Sequence, residues 1–163
     1  MPREIEFRGY DLDLKKWFYG GYHKHIKRQI APFGDELKEE DIQHLIIIDG
    51  FADWNMPQPV RVVTNIDKNS VGQFTGLKDK NGVKIFDGDI VKITIKGKTA
   101  VAQVKWLEKR YKFIFDHGFD WLGLEYFQIS DELEVIGNVF ENKELMKFLN
   151  IGLTKKLKTG CIM

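Results

Sequence analysis

The stretch that decides the fold is Val71-Gly72-Gln73-Phe74-Thr75-Gly76-Leu77-Lys78-Asp79-Lys80-Asn81-Gly82. It runs on through Val83 and Lys84 into Ile85-Phe86-Asp87-Gly88-Asp89-Ile90-Val91. Asn81-Gly82 between two apolar runs is the strongest short signal for a β-hairpin, because both positions tolerate the positive φ of a tight turn. The glycines at 72, 76, 82 and 88 fit corners that side chains resist. Asp79, Asn81, Asp87 and Asp89 have short side chains that bond nearby backbone amides in turns. The motif therefore reads as corner chemistry in a β protein before it reads as a binding site.

Reading outward toward the C-terminus, the alternation continues. Val91, Ile93 and Ile95 share one face of a strand, with Lys92, Thr94 and Lys96 on the other. Lys96-Gly97-Lys98 turns the chain into a strand in which Ala102, Val104 and Trp106 share a face. Lys109-Arg110 turns it again into Tyr111 to Phe115. Pieces at 124–129 and 133–140 follow, and Asn142 is placed to cap a short helix over 143–149 by accepting from its first amides. Short strands at close spacing with turn chemistry between them predict a small barrel.

Toward the N-terminus, Ile5 and Phe7 alternate with Glu4, Glu6 and Arg8 in a first strand ended by Gly9. Tyr10 to Lys15 is a hairpin loop. Trp17-Phe18-Tyr19-Gly20-Gly21-Tyr22 is an aromatic strand whose two glycines mark a bulge or a close backbone approach. Asp35 to Asp41 is acidic enough to open a short helix. Leu45 to Ile48 reads as a buried strand and Asn55 to Pro59 as a loop. Val60 to Thr64 is a further strand, and Asn65 to Ser70 a turn.

The 71–82 and 85–91 motifs resemble the YopX family of bacteriophage and prophage proteins. Two flanking pieces agree with it. Arg3 to Gly9 with Lys16 to Gly20 looks like the family's opening hairpin. Val135 to Asn142 with Glu144 and Leu145 looks like its closing strand and capped helix, although Lys143 stands where relatives often carry proline. The resemblance implies a mainly β protein with an N-terminal hairpin-rich region, an SH3-like small β-barrel in the C-terminal half, and a short C-terminal helix. It also implies phage or prophage origin and expression in a bacterial cytoplasm. It carries no catalytic activity with it. The expected divisions are 1–70 for docking or oligomerisation, 71–142 for the barrel, and 143–163 for the helix and basic tail.

Composition narrows the function. The 163 residues are 43% apolar and 30% charged, with 25 basic against 24 acidic side chains. That excludes disorder and the global basic field of a dedicated nucleic-acid binder. The lone Cys161 cannot staple the chain internally, which fits a reducing compartment. No aliphatic run approaches the ~20 residues of a membrane span, so membrane partners are not expected. No phosphate loop is present, and neither Ser70 nor Ser130 sits in a nucleophile elbow. Catalytic residues, metal ligands and cofactors are therefore expected to be none.

Several groups of side chains stand as candidates against that background. Asp87 and Asp89 with Asp116, His117 and Asp120 would hold a divalent ion only if two loops met; His23 and His25 share a strand face without a third ligand. His44 reads as a strand-boundary residue. Lys92, Lys96, Lys98, Lys105, Lys109, Arg110 and Lys112 cluster with Trp106 and Tyr111, a pattern that suits nucleic acid, although both rings fall on the inward register. Phe7, Trp17, Phe18, Tyr19 and Tyr22 exceed what a two-stranded hairpin buries by itself, so they cap the barrel or form a homo-oligomer interface. The leading expectation is a non-enzymatic binding or assembly module whose partner is itself or a host or phage protein. A nucleic-acid accessory role is the alternative.

Overall fold

A computed structural model of the chain describes residues 4–27, 36–49, 61–95, 98–110, 112–116, 121–123, 132–145 and 147. It is built almost wholly of antiparallel strands and divides into two compact units, Met1–Gln73 and Phe74–Met163.

The first unit contains β1 (Phe7–Asp11), β2 (Lys16–Ile26), β3 (Ile42–Asp49), β4 (Arg61–Asn65) and the first two residues of β5 (Gly72–Lys78). The order across the sheet is β4-β3-β2-β1, and Gly72 and Gln73 of β5 pair with Arg8 and Phe7. Strand β2 changes partner along its length. Lys16 to Gly20 pair with β1, and Gly21 to Ile26 pair with β3. Gly20 sits where the switch occurs, and a Cβ there would lie 2.3 Å from the Ile47 carbonyl oxygen. The expectation of a close backbone approach is met at this residue. The sheet then curls until the chain after β4 meets β1 again: Ile66 N donates to His44 O, and Asp67 N to Tyr10 O. Ile66 and Ile46 are buried inside this curl. Ile66 packs so tightly over Gly9 that a Cβ on Gly9 would clash with it.

Two local expectations shift here. The first strand begins at Phe7 and passes through Gly9, so Ile5 lies outside it and is 68% exposed. The acidic run forms only a 3-10 turn, Glu39–Asp41, because its apolar positions are too few to support a longer helix.

The second unit contains the rest of β5, β6 (Lys84–Phe86), β7 (Asp89–Ile95), β8 (Lys98–Leu107), β9 (Lys112–Asp116), β10 (Trp121–Gly123) and β11 (Glu132–Asn138). Five of these form a sheet in the order β10-β9-β8-β7-β11, while β5 pairs with β6. Its core joins Ile85, Val91, Ile93, Ala102, Val104, Phe115 and Leu133. The alternation expected for β7 holds: Val91 and Ile93 are buried and Lys92 is exposed.

The expected SH3-like closure is not present: the described strands make no closed barrel. The β5–β6 hairpin reaches the five-stranded sheet through isolated bonds rather than a ladder. Lys80 N donates to Leu133 O, Gly88 N to Val104 O, and Val139 N to Gly88 O. The C-terminal helix is not confirmed among the described residues, although Lys147 is helical. Residues 143–145 are a turn, and the Asn142 side chain accepts backward from Asn138 N at 3.1 Å rather than from a helix's first amides. The remainder of 143–149, apart from Lys147, and the basic tail lie outside the described residues, as does the 55–59 loop.

Candidate functional site

The turn carboxylates of the 71–91 motif are occupied by the backbone. Asp79 Oδ1 accepts from Asn81 N at 2.8 Å and Val83 N at 2.9 Å, closing the Asn-Gly corner where Gly82 has φ +82°. Its Oδ2 accepts from Val135 N at 3.1 Å, 56 residues away on β11. Burial pushes this carboxyl up, but the amides of Val135, Val83 and Asn81 outweigh it and hold the group below its ordinary value. Asp89 is buried and accepts from Phe86 N at 2.7 Å. Thr75 Oγ1 donates to Ile85 O and accepts from Leu77 N, filling a bulge in the β5–β6 pairing beside Gly76 at φ +93°. The motif is a set of corners tied to a sheet.

Two members of the acidic set have other partners. Asp89 serves the Phe86 amide, and Asp116 is held by Lys105 Nζ at 2.8 Å. His117 and Asp120 lie outside the described residues, and among those described no group of three or more His, Cys, Asp or Glu could hold an ion. His23 and His25 do share a face, exposed, with ring centroids 6.2 Å apart. Ser70 is structural: its Oγ accepts from Tyr10 N at 2.7 Å and donates to Asp67 O at 2.6 Å. Ser130 and Cys161 lie outside the described residues.

The basic group does not form one stripe. Lys92 and Lys105 point from the outer face, yet Ile90, Gln103 and Ile114 on that same face are buried. Lys92 stands opposite Glu134 in the ladder, and Lys105 is paired with Asp116. Lys109 and Arg110 lie exposed in a 3-10 turn, Glu108–Arg110, and Lys112 is half-buried. Lys96, the Lys98 side chain and Tyr111 are outside the described residues. Trp106 keeps its inward register but not the burial expected of it. It shares the face of Ala102 and Val104, but at the strand's end it is 43% exposed and sits edge-on to Phe113 at 4.9 Å.

The aromatic hairpin divides by face. Tyr10, Trp17 and Tyr19 lie on one side, with Tyr10 and Trp17 in edge contact at 5.4 Å and the Arg8 guanidinium 4.8 Å over Trp17. Phe7, Phe18 and Tyr22 lie on the other, with Phe7 and Tyr22 tilted at 5.6 Å. Tyr19 is 46% exposed.

Sequence reasoning missed the densest polar cluster. His44 is the third residue of β3, not a boundary residue, and its inward register brings it to Tyr22 across the ladder. Tyr22 Oη lies 2.6 Å from His44 Nδ1, and Glu39 Oε1 lies 3.9 Å from His44 Nε2. Lys68 Nζ holds the same Glu39 oxygen at 2.9 Å. Its hydrogen bond and charge keep Glu39 below the ordinary carboxylate range. Burial, with the charge of Glu39, pushes the Tyr22 phenol up. Glu39, His44 and Lys68 edge a cleft of about 330 Å³. Nearby, Asp11 accepts from Leu14 N, from the Thr64 hydroxyl and from Asp13 N, which holds its carboxyl low. The only signal in the sequence was His44 beside the apolar run Leu45 to Ile48.

A solved structure, protein EF1440 from Enterococcus faecalis, is 22% identical, with a TM-score of 0.45, covering 89% of this chain and 99% of its own. No curated protein matches. The family model for the YopX protein matches residues 6–147. The chain, from its opening hairpin through the turn after β11, belongs to the YopX family.

Proposed function

We propose that the chain is a phage- or prophage-encoded, non-catalytic binding or assembly module of the bacterial cytoplasm, which associates with a second copy of itself. The observation that carries this reading is the outer face of the β1–β2 hairpin, where Tyr19 is 46% exposed beside Tyr10 and Trp17. Aromatic rings that remain in water favour interfaces, where they bury large area at low entropic cost. The motif's carboxylates support the non-catalytic part, since Asp79 accepts from three backbone amides and Asp89 from the Phe86 amide. Among the described residues no helix is long and apolar enough to cross a membrane. Light scattering at tens of micromolar is expected to show an oligomer that Tyr19→Ser and Trp17→Ser weaken; a strict monomer would refute self-association.

One observation favours a second reading. Trp106 is exposed, and Lys105, Lys109 and Arg110 adjoin it in the chain, which suits stacking of an unpaired base against a basic rim. A salt-sensitive gel shift abolished by Trp106→Ala is the expected result. No shift with single- or double-stranded DNA or RNA removes this reading.

A further inference from the structure

The cleft edged by His44 contains a hydrogen-bonding geometry that the protein leaves incomplete. His44 Nε2 is buried without a hydrogen-bond partner among the described residues, and Glu39 Oε1 stands 3.9 Å from it. That separation is too long for a direct bond. It suits a small group that bonds both atoms. The proton positions follow from Tyr22. Its phenol stays protonated at neutral pH because burial and Glu39 oppose its ionisation. Its only bonding partner among the described residues is His44 Nδ1, at 2.6 Å. With the hydroxyl donating there, a neutral His44 carries its proton on Nε2. In that tautomer the cleft offers one N–H donor and one carboxylate acceptor to the same point.

A hydroxyl is both acceptor and donor, and it satisfies both atoms at once. The rest of the lining fits a neutral ligand. Lys27 and Lys68 are balanced by Glu39 and Asp67, so there is no net charge to attract an anion. Asp67 is in addition committed to Asn69, whose backbone amide it accepts at 2.7 Å. Leu12, Ile42 and Ile66 supply an apolar wall suited to the C–H face of a small ring. The volume, about 330 Å³, lies at the small end of ligand clefts. We propose that this cleft binds a neutral polyhydroxylated ligand, either a free sugar or the ribose of a nucleoside. One of its hydroxyls accepts from His44 Nε2–H and donates to Glu39 Oε1. A water in that position makes the same two bonds, so a ligand hydroxyl displaces it without leaving a buried donor unpaired. This site is separate from the self-association face, and light scattering on Tyr19 and Trp17 variants does not bear on it.

Nitrogen-15 NMR on the full chain tests it directly. The free protein is expected to show His44 as the Nε2–H tautomer. Titration with D-glucose, D-ribose or uridine into the millimolar range is expected to give saturable shifts at His44 and Glu39. Glucose alone indicates a free sugar; uridine in preference to both sugars indicates a nucleoside. Glu39→Ala, an exposed substitution that leaves the strands intact, is expected to weaken binding at least about tenfold. His44→Phe abolishes it. The proposal is overturned by the Nδ1–H tautomer, by no saturable shift with any of the three probes, by unchanged affinity in Glu39→Ala, or by inorganic phosphate binding at His44 in their place.

Discussion

At the scale of single residues, Asp79 and Lys80 are neighbours with very different weight. Lys80 reaches Glu132 at 3.2 Å and Glu134 at 3.0 Å, but all three side chains are in contact with water. Such pairs contribute little, so Lys80→Ala is expected to change stability by less than about 1 kcal/mol, with a difference that salt erases. Asp79 is buried and serves three amides, one of them on β11. Removing it leaves those donors without their acceptor, and Asp79→Ala is expected to cost about 2–4 kcal/mol in urea unfolding. Acid should reproduce part of this loss. The folded carboxyls of Asp79 and Asp11 lie below the ordinary value of an aspartate, which the unfolded chain retains. Their stabilisation is complete above that value and is lost as pH falls through the lower folded values. The acid limb of a stability–pH profile should therefore be shallower in Asp79→Ala. Asp79 was legible as a turn residue because its Asn-Gly context is local. Its bond to Val135 was not, since nothing in a turn motif names a partner 56 residues away.

At the scale of elements, two glycines separate two kinds of constraint. Gly82 has φ +82° with nothing within 4 Å of an added Cβ. Gly82→Ala meets only the left-handed penalty and is expected to cost roughly 1–2 kcal/mol. Gly20 has an ordinary backbone, but its Cβ would lie 2.3 Å from the Ile47 carbonyl. Since that neighbour is backbone, relief requires β2 and β3 to part. Gly20→Ala is expected to cost more than Gly82→Ala and to raise hydrogen exchange across the β2–β3 ladder while leaving β7 and β8 protected. Equal loss of protection in all four strands would count against this. The Gly20-Gly21 pair announced a close approach, and it is there. The switch of β2 from β1 to β3 was not readable, because a strand's side-chain period says which faces are buried and not which edge pairs with which neighbour. Trp106 failed for a related reason. Its register is inward, but the ring is next to last in β8 and 43% exposed.

At the scale of the molecule, each unit has its own core. The second is assembled around Phe115, Val91 and Val104; the first relies on Ile46 and Ile66, with Asp11, Thr64, Tyr22 and His44 among its inward groups. Phe115→Ala is expected to cost about 3–5 kcal/mol by differential scanning calorimetry. The amino-acid sequence by itself determined the β character, the hairpin corners, the inward faces of β7 to β9 and the YopX membership. All of these depend on residues close together in the chain or on a motif read in order. The tertiary structure alone decided that the strands stay open rather than close into a barrel, that the basic residues are interrupted by acids and buried side chains, and that Glu39, His44, Tyr22 and Lys68 meet. Those outcomes depend on which edges find each other across long stretches of chain, and hydrogen-bond pairing between distant segments leaves no periodic trace in either one.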